Sequence, residues 1–514
     1  MVKKYFKLPL PSKKISEKEQ KNCRTINQDN SKVSKQLNEN KNYLQMQFKG
    51  SVDVVFYEFR TFSEIRTLVV YIEELVKKEV LDRDIINNFI GKSKEVVNSY
   101  DKLSSEDIKM FLSVSNISES KKLDNIIEDL VEGSAVIFID GFDTAFLIPI
   151  RGWEKRAIEE PESESVVRGP REGFVESINI NRALLRRKIK NRNLAFENII
   201  LGRQTRTNVN LAYIDGIVNT RILEEVKERL AKIDIDAVLD SGYIEEFIKD
   251  EPLSPFNTVG NTERPDIVAG KILEGRIAIL CDGSPNVLTV PFIFIENFQS
   301  NEDYYNNFVT SSLNRMTRFT SFILSTMVPA IYIALVTYHQ EMIPSKLLFS
   351  FISSREGVPF PTVVETLMMI FVFELLRETG VRMPGAFGQT ISIVGALILG
   401  TAAVDAKFVS APVVIVVAIT GISSFLIHKI LGAVIITRVI LAGLGSVLGL
   451  YGVMFGVIVL FLYLVSIRSF GVPYMTNLSS LGLQEIKDTI IRAPWWYMYF
   501  RPRFISKANI VRKR

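Results

Sequence analysis

Four long apolar runs without charge in the C-terminal half constrain this chain more than any other feature. They are FTSFILSTMVPAIYIALVT (319–337), GAFGQTISIVGALILGTAAV (385–404), VSAPVVIVVAITGISSFLI (409–427) and VILAGLGSVLGLYGVMFGVIVLFLYLVSI (439–467). A helix rising about 1.5 Å per residue crosses a hydrocarbon core of about 30 Å with runs of this length. One such run could be a core helix of a soluble protein, but four together predict an integral membrane protein. The fourth run is too long for one upright spanning helix and too short for two full spanning helices.

The N-terminal half has a different composition. Charged residues make up 23% of the 514 residues and the net charge is +5, but almost all charges precede residue 319 or follow the last apolar run. Residues 1–50 are rich in Lys, Asn, Gln and Ser without apolar periodicity, which predicts a disordered basic tail. That tail either attracts anionic membrane lipid or is a solvated leader. It lacks the apolar stretch of a secretory signal, so we expect it to stay in the cytoplasm.

Residues 51–300 alternate helical and strand-like patterns, which predicts two small α/β lobes at 51–192 and 193–300. In the first lobe, apolar residues at helical spacing predict a helix over 63–81, and two apolar stretches predict strands at 134–141 and 145–150. In the second lobe we predict strands near 208–214, 276–283 and 286–294, and helices near 217–233 and 240–250. Asp282 and Gly283 predict a hairpin between the last two strands. The expected fold class is therefore an α/β N-terminal region followed by an α-helical membrane domain at 301–470, with four to six helical segments.

Residue types that carry catalysis are scarce. The sequence has two histidines and two cysteines, Cys23 and Cys281, which lie far apart and predict free thiols. No metal-ligand spacing, phosphate-binding loop or nucleophile–base motif can be assembled, so we predict neither an enzyme nor a cofactor or metal site. The basic RRKIK stretch at 186–190 follows a glutamate-rich segment without interleaved aromatic residues, which favours ion pairing over nucleic-acid binding.

Basic residues set the expected orientation in the membrane. Arg315 and Arg318 precede the first apolar run, and a basic tail at 471–514 follows the last one. The positive-inside rule then places both ends in the cytoplasm, which requires an even number of crossings. In the last run Gly445, Gly449, Gly452 and Gly456 form two GxxxG spacings, which predict close helix packing within or between subunits.

The stretch PFPTVVETLMMIFVFELLRETGVRMP (359–384) is apolar but contains the charged residues Glu365, Glu374, Arg377, Glu378 and Arg382. A charge at the bilayer centre costs at least about 2.5–3.5 kcal/mol on insertion scales, so these groups should face protein or water. Glu365 and Glu374 are nine residues apart and fall on opposite helix faces. We predict an ion-paired hinge at Glu374 with Arg377 and Glu378, and a Glu365 that faces a cavity or another subunit, as the carboxylates that line cation channels do. The alternative is an interfacial amphipathic helix.

Several motifs, read in order, resemble the A subunit of the GerA-family spore germination receptors. They are RGPREGFVESININRALLRRKIKNRNL (168–194), SPFNTVGNTERPD (254–266), DGSPNVLTVP (282–291), YHQEMIPSKLL (338–348), REGVPFPTVVE (355–365), FELLRETGVRMPGAFGQTISIVGALILGTAAVDA (373–406) and SFGVPYM (469–475). The resemblance covers about residues 50–502. Two of these motifs are signature loops, formed by Arg168, Gly169, Pro170, Arg171, Glu172 and Gly173, and by Glu263, Arg264, Pro265 and Asp266.

The resemblance implies a component of a nutrient germinant receptor in the spore inner membrane, with several spans and both termini in the spore core. Its implied partners are a transporter-like B subunit, which recognises the nutrient, and a C-subunit lipoprotein. It further implies a homo-oligomer that conducts monovalent cations when nutrient binds. The alternatives are a secondary transporter of ions or nutrient, and a non-receptor paralogue of the SpoVAF type.

Overall fold

The computed structural model describes residues 32–61, 65–91, 117–152, 161, 164, 166–382, 395, 398–476, 488–502, 504–506, 509 and 511–512. Its chain forms two compact units. The first comprises residues up to Lys49 together with Asp53–Trp153, and the second comprises Gly50–Val52 and everything from Glu154 onward.

The first unit is a five-stranded antiparallel sheet with strand order β1-β2-β4-β5-β3. Its strands are β1 (Val54–Arg60), β2 (Arg66–Ile72), β3 (Ser118–Ser120), β4 (Ala135–Ile139) and β5 (Ala145–Ile148). Two helices accompany them, α1 (Leu37–Gln47) and α2 (Leu123–Val131), and further helical turns cover residues 78–91. The strands predicted at 134–141 and 145–150 are confirmed as β4 and β5.

The helix predicted over 63–81 is wrong, because its centre is strand β2. This strand pairs with β1 on one side and β4 on the other, and it is buried from Thr67 to Ile72. A central strand covered on both faces has a continuous apolar run instead of an alternating one. The run from Leu68 to Ile72 therefore fits helical spacing by coincidence, while its β-branched residues favour the strand.

The predicted disorder of residues 1–50 is wrong for the described part of that segment. Helix α1 buries Leu37, Asn40 and Leu44, so its sparse apolar residues form one contact face. The amide of Leu37 at its N-terminus donates to Asp140 Oδ1 over 3.1 Å. Residues 1–31 lie outside the described residues.

The second unit begins with another five-stranded antiparallel sheet, of order β6-β7-β9-β10-β8. Its strands are β6 (Leu194–Leu201), β7 (Thr207–Ile214), β8 (Gly260–Thr262), β9 (Ile277–Cys281) and β10 (Val287–Val290). Its helices are α3 (Ile178–Lys188), α4 (Thr220–Ala231), α5 (Ser241–Ile248) and α6 (Pro265–Leu273). The predicted strands β7, β9 and β10, their hairpin at Asp282–Gly283 and helices α4 and α5 are confirmed, whereas the sequence did not predict β6.

Helix α3 belongs to the second sheet. Its buried residues Ile178, Leu184 and Leu185 share one hydrophobic core with Phe196 of β6 and Ile214 of β7. The first unit accordingly ends at Trp153, well before the boundary expected at 192. Helix α3 precedes the second sheet in sequence and packs against it, so it belongs to the second unit and not to the first.

The two sheets repeat one plan. In both, a helix is followed by two paired strands, a third strand at the far edge, another helix and a final hairpin. The helix N-terminus is tied to that hairpin in the same way each time. Leu37 donates its amide to Asp140 Oδ1, and Ile178 donates its amide to Asp282 Oδ1, both over 3.1 Å.

A second bond set repeats as well. Asn40 in α1 accepts from the amide of Ser34 and donates to its carbonyl, and Asn181 in α3 makes the same pair of bonds with Val175. In each pair the two bonds measure 2.9 and 2.6 Å. Such equality of topology and local contacts indicates an internal duplication.

The rest of the second unit is mainly helical. Its helices are α7 (Phe308–Tyr338), α8 (Ser345–Arg355), α9 (Thr362–Arg382), α10 (Ala411–Phe425) and α11 (Leu431–Ser466). Among the described residues, two helices are long and apolar enough to cross a membrane, Phe308–Tyr338 and His428–Ser466, and α10 is a shorter apolar helix. The span predicted at 385–404 lies mostly outside the described residues.

Helix α11 turns back on itself at Gly449. This residue has φ +62° and ψ −146°, which divides α11 into two helices. A Cβ at Gly452 would lie 2.2 Å from the Leu444 carbonyl oxygen, and a Cβ at Gly456 would lie 2.5 Å from Leu441 Cδ2. The two halves therefore pack closely side by side as a helical hairpin. This explains why the run at 439–467 has a length between one and two spans.

The C-terminal segment folds against the second unit. After α11, strands β11 (Arg468–Ser469) and β12 (Val472–Pro473) form a small hairpin. Further on, Asp488 accepts from the buried Arg315, and Arg512 pairs with Glu274 over 3.4 Å. The described parts of residues 471–514 thus pack against the second unit, whereas the sequence predicted only that this segment is a basic tail. Arg315 is neutralised by these contacts, so it is a weaker orientation signal than its position in the sequence suggests.

Candidate functional site in the helical region

Helix α9 contains all five charged residues that the sequence singled out between 359 and 384. Glu365 lies near its N-terminus and is completely buried. Its Oε1 accepts from the backbone amide of Ser410 and, over 2.6 Å, from the Ser410 hydroxyl. Its Oε2 is buried without a hydrogen-bond partner among the described residues. Glu365 therefore faces the start of α10.

Glu374 lies in the middle of α9 in an ion network. Its carboxylate pairs with Arg377 over 2.5 Å and with Arg438 of α11 over 2.8 Å. Arg438 is completely buried and also donates to the carbonyl and the hydroxyl of Ser325 in α7. The predicted pairing of Glu374 with Arg377 is present, but Glu378 takes no part in it. We call Glu374, Arg377, Arg438 and Ser325 the arginine node.

The backbone of α7 explains why Arg438 is needed. Pro329 follows Ser325 by four residues and has no amide hydrogen, so the Ser325 carbonyl lacks its helical donor. Arg438 Nε donates to this carbonyl over 2.8 Å. An unsatisfied carbonyl in an apolar surrounding costs several kcal/mol, and one arginine satisfies it while it pairs with Glu374. The arginine node thus joins α7, α9 and α11.

One face of α9 is open. Its exposed residues follow helical spacing along the whole helix and are Val364, Phe371, Leu375, Glu378 and Arg382. Glu378 and Arg382 form an ion pair of 2.6 Å at the C-terminal end of this face. We call it the open stripe. Of the five charged residues, then, Glu378 and Arg382 form an exposed ion pair on the open stripe, and the other three lie off it.

Two neighbouring helices, α9 and α10, run in the same direction. Glu365 and Ser410 connect the N-terminal ends of α9 and α10, and Phe373 packs against Phe425 toward their other ends. These two neighbouring helices are therefore parallel. Residues 383–410 lead from the end of one to the start of the other.

The glycines of α11 lie inside the hairpin. A Cβ at Gly445 would lie 2.9 Å from the carbonyl oxygen of Ala330 in α7, and a Cβ at Gly449 would lie 2.8 Å from His339 Cε1. The GxxxG residues thus mediate close packing within the chain, both between the halves of the hairpin and against α7.

The two signature loops meet beside the second sheet. Arg264 is buried, forms a bidentate pair with Asp266 and donates to the carbonyls of Glu164 and Pro170. The backbone amide of Phe174 also donates to the Glu263 carbonyl over 2.7 Å. Pro265 begins α6, Glu172 pairs with Arg187 and Lys188, Gly173 is buried, and Arg168, Gly169 and Arg171 are exposed.

The same loops are tied to the helical region. Glu164 pairs with Lys429, which precedes α11, over 2.8 Å. Asp266 accepts from Tyr305, just before α7, over 2.7 Å. Burial opposes ionisation of Asp266, but the hydrogen bonds from Arg264 and Tyr305 outweigh it and hold its pKa below the ordinary 3.8. We call this arrangement of Glu164, Arg264, Asp266, Tyr305 and Lys429 the junction cluster.

The described residues contain no group of three or more His, Cys, Asp or Glu side chains that could hold a metal ion. Cys281 is a buried free thiol in β9, and burial together with nearby acidic groups raises its pKa to about 12. Cys23 lies outside the described residues.

Sequence reasoning missed Arg438, Ser410 and the role of Arg264. Arg438 immediately precedes the last apolar run, and it could have been noticed as a charge with no nearby partner in sequence. Pro329 offered a second signal, because a proline within a spanning helix leaves a carbonyl that another group must satisfy. Ser410 gave no comparable signal.

Known proteins of one family match this chain over almost its whole length. The family described as Bacillus/Clostridium GerA spore germination protein matches residues 42–504. The uncharacterized membrane protein YfkQ of Bacillus subtilis (strain 168) is 42% identical over 479 residues, 93% of this chain and 93% of that protein. Spore germination protein KA of the same strain is 42% identical over 468 residues, 90% of this chain and 86% of that protein.

Among solved structures, the crystal structure of the N-terminal domain of the A subunit of the Bacillus megaterium spore germinant receptor GerK3 covers 51% of this chain and 98% of that chain. Its sequence identity is 31% and the TM-score is 0.41.

Proposed function

Because this chain belongs to the Bacillus/Clostridium GerA family of spore germination proteins, we propose that it is the A subunit of a nutrient germinant receptor in the spore inner membrane. It assembles with a transporter-like B subunit and a C-subunit lipoprotein. Copies of the chain form a ring that conducts monovalent cations once nutrient binds. Its relatives named as spore germination proteins support the receptor role.

In this proposal the helical region crosses the membrane six times. The crossings are α7, α9, the connection from 383 to 410, α10 and the two halves of α11. The support is that α9 and α10 are parallel neighbours, which requires a return segment between them, and that α11 turns back at Gly449. An even number keeps both ends of the helical region on the side of the second sheet, as the positive-inside rule expects.

The open stripe of α9 lines the cation path. This is the observation that carries the proposal, because it is an exposed helix face that is apolar along its length and ends in a charged pair. Its apolar part is suited to a constriction that gates by dewetting, and Glu378 with Arg382 lies at one mouth. Glu365, Glu374 and Arg377 hold the helix in position, so they act on gating and not on ion contact.

Potassium release from spores that carry variants of this chain tests this arrangement. Phe371→Ala removes a large apolar group from the open stripe, so we expect faster potassium release, including release before nutrient is added. Phe461→Ala is the matched control, since Phe461 is also an exposed phenylalanine but lies on the outer face of the α11 hairpin. Equal behaviour of the two variants at normal protein levels contradicts a path along the open stripe.

Reconstitution of the purified receptor distinguishes a channel from a secondary transporter and from a scaffold. Single-channel current steps from the purified receptor in a planar bilayer support the channel. Saturable uptake of a solute into vesicles without current steps indicates a secondary transporter instead. If neither activity appears with the partner subunits present, the chain is a scaffold.

A further inference from the structure

The C-terminal segment 488–504 presents an unusual group of exposed aromatic and aliphatic side chains. Trp496 is 61% exposed and Ile491 is 65% exposed. Further exposed members are Ile490, Trp495, Tyr497, Tyr499 and Phe504. Exposing an apolar patch of this kind to water is energetically unfavourable, so the patch indicates a binding partner.

This segment is held firmly at the beginning of α7. Arg315 Nη1 donates to the Asp488 carbonyl and carboxylate and to the Thr489 carbonyl, over 2.8 to 3.1 Å. The amide of Arg492 donates to Ser312 Oγ, and the ring of Trp496 packs edge-on against Phe308. Several backbone groups of the segment are therefore bonded to α7, while Trp495 and Trp496 stay 48% and 61% exposed.

The exposed surface continues onto α7 itself. Val309, Leu313, Met316 and Ile323 are all exposed and follow one helical stripe toward the apolar part of the helix. Helix α7 is long and apolar enough to cross a membrane. The aromatic group thus lies beside the N-terminal part of a helix that is long and apolar enough to span a membrane.

We propose that residues 490–502 together with Phe504 form an interfacial anchor that lies in the headgroup layer of the lipid bilayer beside α7. Trp and Tyr favour this layer because their rings are apolar and their N–H and O–H groups are polar. The occupant of the surface is lipid, and the continuity with the outer stripe of α7 favours it over a second protein copy. This inference depends on the proposed membrane crossing, but not on cation conduction.

The anchor gives the C-terminal segment a mechanical role. Because Asp488 and Thr489 are bound to Arg315 and the aromatic rings lie in lipid, the segment fixes the depth of α7 in the bilayer. Tyr304, which lies just before α7, also holds the segment, since its carbonyl accepts from Trp495 Nε1 over 3.1 Å and its hydroxyl donates to Asp488 over 2.6 Å.

Tryptophan quenching by brominated phospholipids tests the anchor in the full-length protein reconstituted into phosphatidylcholine–phosphatidylglycerol vesicles. The chain has three tryptophans, Trp153, Trp495 and Trp496. The double variant W153F/W495F leaves Trp496 as sole reporter. Lipids brominated near the headgroup should remove most of its emission, lipids brominated deep in the chains should remove less, and aqueous iodide should have little effect.

Two further reporters in a tryptophan-free background complete the design. Phe461→Trp on the outer face of α11 should be quenched by brominated lipid, and Ile200→Trp on the edge strand β6 should be quenched by iodide. If Trp496 responds to iodide and not to lipid while Phe461→Trp responds to lipid, the anchor is refuted and the crossing stands. If Trp496 responds to neither quencher, a protein partner covers it and the anchor is equally refuted. If Phe461→Trp also fails to respond to lipid, the crossing itself fails.

Discussion

Replacing Glu374 by alanine should destabilise the helical region strongly. The change leaves the completely buried Arg438 without its carboxylate partner, and Arg377 loses the same partner. Removing one partner of a buried ion pair costs about 3–5 kcal/mol, because an uncompensated charge remains in an apolar surrounding. At about 2–4 °C per kcal/mol this corresponds to a fall of roughly 10 °C in the unfolding temperature.

Glu378→Ala is the matched control on the same helix. Glu378 pairs with Arg382 in an exposed position, so its loss should cost less than about 1 kcal/mol. Thermal unfolding of the full-length protein in one detergent, followed by the fraction that stays soluble after heating, measures both variants. An equal fall for Glu374→Ala and Glu378→Ala refutes the arginine node as a stabilising element.

A second pair of variants distinguishes the two roles of Arg438, which pairs with Glu374 and donates to the Ser325 carbonyl. Arg438→Met removes the charge but leaves the Ser325 carbonyl without a donor, because Pro329 has no amide hydrogen. Adding Pro329→Ala restores the helical donor, so this double variant should be more stable than Arg438→Met alone by about 1–3 kcal/mol. No gain from the added alanine would contradict the assignment of Arg438 to that carbonyl.

Three other changes test the hairpin and the junction cluster. Gly449→Ala should lower the unfolding temperature, since a positive φ costs about 1–3 kcal/mol for a side-chain residue, whereas Gly443→Ala, which meets no atom within 4 Å, should not. Arg264→Lys should reduce stability because lysine cannot form the bidentate pair with Asp266, and a fully stable variant would contradict that pair's role. The pKa of Asp266 is held below 3.8, so its contribution is complete above that pH and declines as the pH falls through the lowered pKa. Asp266→Asn should therefore lower the unfolding temperature near about pH 7 and flatten its decline below about pH 4, and an unchanged acid profile would count against this.

Local patterns predicted much of the second sheet and one ion pair, but not the partners that come from distant sequence. Glu374 and Arg377 are three residues apart, so helical geometry alone brings them together. Arg438 is far away in sequence, and only the packing of α11 against α7 and α9 brings it to Glu374. The buried position of Glu365 has the same origin, because Ser410 approaches it from another helix.

The prediction of secondary structure was wrong where one pattern of apolar residues fits both a helix and a strand. Strand β2 is a continuous apolar run between two neighbours, which helical spacing also matches. Helix α1 has few apolar residues, and its burial depends on a sheet that its own sequence does not reveal. The duplication was missed because the two copies share contacts more than residues.

The duplication makes each lobe a comparison sequence for the other. Ser120 accepts from the amide of Lys122 in the first lobe, as Thr262 accepts from the amide of Arg264 in the second. What recurs in both is what the shared architecture demands of any sequence. What differs is specific to one lobe, and the arginine at 264, where the first lobe has Lys122, is such a difference. In the second lobe alone, the guanidinium of Arg264 bonds to the Glu164 and Pro170 carbonyls and so binds the two signature loops together.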